Sequence, residues 1–149
     1  MHLWSLFGER GKFFMKKFDN YKSNLLVFSK AKDEDLENEF IISGIIDKFY
    51  IQFELAWKVL KELLRYEGNR VANTGSPREI IKAAYATYEF IDEEVWLSML
   101  RERNNMTHVY NGEEARELVK KIIDQYIPTF CQLKEAIESQ YSEILDTLS

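Results

Sequence analysis

The stretch FIISGIIDKFYIQFELAWKVLKELLRY, residues 40–66, decides the architecture. Ile42, Ile45, Ile46, Phe49, Phe53, Ala56, Trp57, Leu60 and Leu64 recur three and four residues apart, the period of an amphipathic helix. With the polar residues ahead of it, the predicted helix runs from about Asp35 to Tyr66. At 1.5 Å per residue it is about 48 Å long, more than one small bundle needs to cover itself. A second stripe, Ile51, Leu55 and Val59, falls roughly opposite the first. A helix apolar on two faces is either central in its fold or buried against another chain. Two readings of that stripe stand side by side: a homodimer face, and a surface covered by the first helix.

Outward from this helix the same period recurs. Upstream, KFFMKKFDNYKSNLLVFSKA (12–31) sets Phe14, Phe18, Tyr21, Leu25 and Phe28 on one face. Downstream, YEGNRVANTGSPREII (66–81) is the main loop, closed by Ser76, Pro77 and Glu79. That trio is a capping box with proline at the first helical position, opening a short helix to about Tyr88. Asp92 caps EEVWLSMLRERNNM, and Asn111 with Glu114 opens GEEARELVKKIIDQYI. Pro128 is expected to kink or break that last helix, with TFCQLKEAIESQYSEILDTL continuing to the end. With two prolines and six glycines, no repeat and no strand pattern, the expected fold is all-α. It is a bundle of about five helices with short loops, one domain over residues 1–149.

Composition narrows the function classes. A hydrophobic share of 46% suffices for a sizeable core. The single cysteine, Cys131, excludes an intramolecular disulfide and suits a reducing cytosol. No apolar run reaches the roughly 20 residues needed to span a bilayer, and the N-terminus has no signal-peptide pattern. A cytoplasmic protein is expected. A net charge of −5 argues against a general nucleic-acid binder. The charge is uneven, because the first 32 residues hold seven basic and two acidic side chains, a local +5. Those lysines mark either a basic face or, more commonly, a solvated helix surface.

The chemistry-bearing stretch is MLRERNNMTHVYNGEEA, residues 99–115. Projected from Trp96, Arg103 falls in the middle of an apolar arc with Met99, Leu100, Met106 and Thr107. A guanidinium cannot shed its charge, so it needs an anion, carbonyls or a wet cleft there. A salt bridge to Glu54 or Glu94 would satisfy it structurally. His108 lies about 140° further round an ideal helix. The helix therefore has to end near His108 if the imidazole is to swing toward Arg103 or toward a second copy. Asn104, four residues before His108, is placed to orient the ring, and Tyr110 projects from the same turn. Imidazole can move a proton to or from ribose and leaving oxygens, and arginine can hold the scissile phosphate. Together they suit metal-free RNA cleavage, although a satisfied helix-end histidine is the commoner occurrence. Elsewhere there is no Cys/His cluster for a metal and no GxxxxGK[ST] loop. Gly75-Ser76 matches the opening of many nucleotidyltransferase sites but lacks the paired aspartates, and capping accounts for its serine. Neither cofactor nor metal is expected.

ERNNMTHVYN resembles the R-x4-H-x-Y signature of HEPN domains, with Arg103, Asn104, His108 and Tyr110 in the matching positions. FELAWKVLKELL, TGSPREIIKAAY and VWLSMLRERNNMTHVYN, in that order, resemble the nucleotidyltransferase substrate-binding protein family within that superfamily. The likeness covers roughly residues 12 to 140, while residues 1–11 form a poorly matched N-terminal extension. It implies an up-and-down, HEPN-like bundle that forms a homodimer and partners a separate minimal nucleotidyltransferase, its antitoxin in a toxin–antitoxin pair. It further implies a metal-independent ribonuclease acting on tRNA or mRNA, with Arg103, Asn104 and His108 catalytic. Tyr110, exposed on the turn beside the site, would accept AMP transferred by the partner from ATP, which silences the toxin. The alternative is a non-enzymatic, substrate-binding subunit of that nucleotidyltransferase, as the acidic charge and the family's name suggest. A third reading makes Arg103 and His108 a structural polar pair at a dimer interface.

Overall fold

The computed structural model describes residues 2–141, with side chains from residue 11 onward, and shows helices and no strand among them. The helices are α1 (His2–Phe28), α2 (Glu39–Tyr66), α3 (Val71–Thr74), α4 (Pro77–Thr87), α5 (Glu93–Asn104), α6 (Gly112–Lys121) and α7 (Ile127–Gln140). A π-helical turn, Ile122–Tyr126, joins α6 to α7 as one rod. Leaving aside the single-turn α3, five main rods remain, as expected. The run proposed to continue from α7 to the chain end falls, beyond Tyr141, outside the described residues.

α2 is the central rod, touching α1, α3, α4, α5 and α6. That position explains its apolar residues on more than one face. Phe49, Phe53, Ala56, Leu60 and Leu64 are fully buried, and Trp57 of the main stripe is only half-buried. The second stripe divides. Val59 lies in the chain's own core, Leu55 packs against that core, and Ile51 is half exposed. α1 covers α2 with the predicted set Phe14, Phe18, Tyr21, Leu25 and Phe28, none more than 3% exposed. Each buried Phe or Leu contributes roughly 1.5–3 kcal/mol over its exposed state. Gln52, fully buried, ties these two rods together. It accepts from Asn24 at 2.6 Å and donates to the Tyr21 carbonyl at 3.1 Å. A buried amide left unpaired would cost about 1–3 kcal/mol, so these bonds fix the pairing of α1 with α2.

Two boundaries differ from the sequence expectation. α2 begins at Glu39, not near Asp35, because Asn38 caps it by accepting from the Phe40 and Ile41 amides. The residues before it spend their polar groups on a 3₁₀ turn, Ser29–Asp33, and on an Asp35 side chain bonded to the Glu37 amide. Of the two outcomes expected at Pro128, a kink or a break, the break does not occur. Proline has no N–H for the usual bond one turn back. The chain takes up the mismatch as the π turn just ahead of it, where the Ile127 amide reaches the Ile122 carbonyl. The Asp92 cap on α5 and the reciprocal Asn111–Glu114 box on α6 hold as expected. Ser76 caps α4 by accepting from the Glu79 amide, but the Glu79 carboxylate takes the Ser76 hydroxyl instead of the Ser76 amide, so the expected box is only half formed.

Candidate functional site

The C-terminal end of α5 and the turn into α6 carry Arg103, Asn104, His108 and Tyr110. α5 stops at Asn104, four residues before the histidine, and Asn105 closes it by bonding back to the Arg101 and Glu102 carbonyls. The His108 amide then bonds the Asn105 carbonyl at 2.9 Å, which folds residues 105–108 into a tight turn. Because helix geometry ends there, the expected pairing of Asn104 with the His108 ring is not formed. Asn104 instead accepts from Arg103 Nη1 at 3.2 Å.

Arg103 finds its anion in Glu54 of α2, one of the two carboxylates the sequence offered; its Nε lies 2.5 Å from Glu54 Oε1. Trp57 Nε1 donates to the other Glu54 oxygen at 2.9 Å and fixes that carboxylate. Both members of the ion pair keep about a third of their side chains in solvent, 28% for Arg103 and 34% for Glu54. At that exposure the pair is worth about 1 kcal/mol or less, so it sets geometry more than stability.

His108 does not turn toward Arg103 within this chain. Its Nε2 lies 3.3 Å from Glu114 Oε2. The same Glu114 completes the α6 capping box, its Oε1 accepting from the Asn111 amide. One carboxylate thus joins the imidazole to the start of α6. The His108 ring also stands edge-on to Tyr110, with centroids 5.0 Å apart and planes at 86°.

Tyr110 was expected to be exposed on the turn, and it is not. Its ring is partly buried against the core, and its hydroxyl donates to Glu102 Oε2 at 3.2 Å. The hydroxyl of Tyr50, from α2, is buried close enough to couple to this phenol, yet meets no hydrogen-bond partner of ordinary geometry. Burial, with the Tyr50 phenol and the Glu102 carboxylate behind it, pushes the Tyr110 phenol well above the usual tyrosine value. His108 and Val109 face outward, and Tyr110 is the residue of this turn that packs against the core.

Sequence reasoning thus located the four motif residues and missed three neighbours that hold them. Glu114 was visible only as a cap. Glu102 is eight residues from Tyr110 across a helix end, and Tyr50 is sixty residues away, spacings that carry no periodic signal. An open depression lined by Arg101, Glu102, Asn104 and Asn105 adjoins the cluster. Among the described residues no three His, Cys, Asp or Glu side chains are grouped to hold a metal ion, and no helix is long and apolar enough to cross a membrane. The Gly75-Ser76 pair is loop chemistry: a Cβ on Gly75 would sit 2.5 Å from the Val71 carbonyl oxygen, and Ser76 caps α4.

A comparison with curated proteins gave no match. The family model described as "Nucleotidyltransferase substrate binding protein like" matches residues 16–139, which spans α1 through α7 and includes every site residue above. The chain therefore belongs to the nucleotidyltransferase substrate-binding protein-like family, and HEPN membership is consistent with it.

Proposed function

We propose that this chain is the HEPN-type component of a two-gene nucleotidyltransferase system, a metal-independent ribonuclease toxin silenced by AMP transfer onto Tyr110. The observation that carries the reading is the gathering of Arg103, Asn104, His108 and Tyr110 on one helix end and the turn beyond it. The family ties its members to a nucleotidyltransferase, the enzyme that transfers AMP from ATP in this scheme. In the chemistry proposed, Arg103 holds the scissile phosphate and His108 moves the proton at the ribose 2′-oxygen or the leaving 5′-oxygen. Asn104, bonded to the guanidinium, keeps Arg103 in place.

Within one chain Arg103 and His108 answer to different carboxylates, Glu54 and Glu114. The proposal therefore includes a homodimer in which the arginine and histidine of two copies face one cleft. Exposed Ile51, Met106 and Val109, on the elements that carry the site, supply apolar surface for that pairing. Bringing a phosphate in would exchange Glu54 for RNA on the guanidinium, an exchange open to a pair that keeps contact with water.

The neutralised arginine also favours a second reading, in which the chain serves as a non-enzymatic, substrate-binding subunit of the nucleotidyltransferase. Cleavage of total RNA and of tRNA by the purified chain in EDTA, beside His108→Ala, separates the two. Specific cleavage by the wild type that is lost in the variant supports the ribonuclease. Intact RNA in the presence of a folded wild-type dimer overturns it in favour of the subunit.

A further inference from the structure

We propose that Glu102 is the general base that takes the phenol proton of Tyr110 when a nucleotidyl group is transferred onto that oxygen from a nucleoside triphosphate. The inference rests on the reading of Tyr110 as the acceptor and says how that acceptor is made reactive. Tyr110 Oη already points its proton at Glu102 Oε2, 3.2 Å away. Both side chains are partly buried. Tyr50 closes the phenol's surroundings with a buried hydroxyl set beside it.

A neutral phenol is a weak nucleophile, and here burial makes spontaneous ionisation rarer still. A site that raises the acceptor's pKa needs a base at hydrogen-bond distance, and the Glu102 carboxylate stands at that distance. The depression lined by Arg101, Glu102, Asn104 and Asn105 opens beside that carboxylate. Arg101, exposed on its rim, offers a cation to the phosphates of an incoming donor.

The step balances as follows. The Tyr110 oxygen forms a bond to the α-phosphorus, and its proton moves to Glu102. The bond from that phosphorus to the oxygen bridging the β-phosphate breaks, and pyrophosphate leaves with the electron pair. Glu102 then returns the proton to water. The nucleotidyltransferase supplies the triphosphate and its position, and this chain supplies the nucleophile together with its base.

Two probes test the assignment, both in a His108→Asn background, which removes the imidazole beside Tyr110 from the same pH window. The first is diisopropyl fluorophosphate, a small phosphorylating electrophile that needs no partner enzyme. Adducts at Tyr110 are counted by peptide mass spectrometry between about pH 6 and 9, with Tyr110→Phe as the blank. With Glu102 present the rate is expected to be nearly flat across that range. Glu102→Gln should react roughly 10²-fold more slowly near neutrality. Its rate should then climb about tenfold per pH unit, because hydroxide must remove the proton. Glu102→Asp should recover part of the rate, a rescue that a merely structural role would not produce. Equal rates and equal pH profiles with and without the carboxylate overturn the assignment. The second probe is α-labelled ATP with the nucleotidyltransferase co-expressed beside the chain. Labelling of Tyr110 that falls in Glu102→Gln supports the proposal, and undiminished labelling overturns it by giving the proton to the partner enzyme. Glu102-dependent reaction with the electrophile but no AMP on Tyr110 overturns the acceptor reading, while the acid–base pair itself stands.

Discussion

His108 stands on a turn with 45% of its side chain in solvent, so its removal disturbs little packing. His108→Ala is expected to abolish RNA cleavage while changing stability by no more than about 0.5 kcal/mol, the range for surface substitutions. Cleavage assays and thermal melts on the same preparation check it; a fall in melting temperature with unchanged cleavage would make the histidine structural. Tyr110→Phe removes only the hydroxyl held by Glu102. It should block AMP transfer and keep the nuclease, as read by labelling and RNA gels; wild-type labelling of that variant would place the acceptor elsewhere. At this scale the sequence revealed types and spacing. Arg103 stood out because a charge sat in an apolar arc, and His108 because the chain has so few histidines. For Arg103 the sequence narrowed the anion to Glu54 or Glu94, but the partners of His108 and Tyr110 were not legible, because Glu114 and Glu102 reach them across helix ends.

Helix caps carry the local folding signal, and each can be tested alone. α2 ends in a Schellman arrangement, with the Gly68 amide on the Arg65 carbonyl and the Asn69 amide on the Leu64 carbonyl, both at 2.9 Å. Gly68 sits at φ +83°, where a side chain is strained though space around it is free. Gly68→Ala should therefore cost about 1 kcal/mol, measured by denaturant unfolding. Gly75 has the opposite cause: its backbone conformation is ordinary, and a Cβ would strike the Val71 carbonyl. Asn111→Ala removes half of the α6 box and should cost about 1 kcal/mol. Because Glu114 serves both that box and His108, the same change should also lower any ribonuclease activity. Full activity in a destabilised Asn111→Ala variant would separate the cap from the site. The caps at Ser76, Asp92 and Asn111 were legible because capping depends on residues three apart in one segment. The π turn was not, since proline says only that the regular ladder fails, and the surrounding packing of Ile122, Tyr126 and Phe130 decides how.

For the whole molecule, buried tyrosines set a limit at high pH. Burial raises Tyr21, Tyr50, Tyr88, Tyr110 and Tyr141 above the ordinary phenol value of 10.0, with Tyr141 pushed up to about 12. For a raised acid the folded state holds its proton longer than the unfolded state does. Stability is thus complete below 10.0 and falls as pH rises from there through the folded values. Melting temperatures should be level from neutrality to about pH 9.5 and drop steeply above 10. A flat profile to pH 11 would mean that these phenols ionise as easily in the fold as outside it. By itself the sequence determined the all-helical class, the inward stripes of α1 and α2, three caps, the family and the four motif residues. The family rests on three blocks in a fixed order, and each of the others depends on periodicity or short spacing within one segment, where backbone geometry translates order directly into placement. Only the tertiary structure decided that Val59 turns inward while Ile51 stays open, that Glu54 meets Arg103, and that Tyr110 is seated between Tyr50 and Glu102. Those outcomes depend on how separate rods pack around α2, and no period within a single segment encodes the distance between two of them.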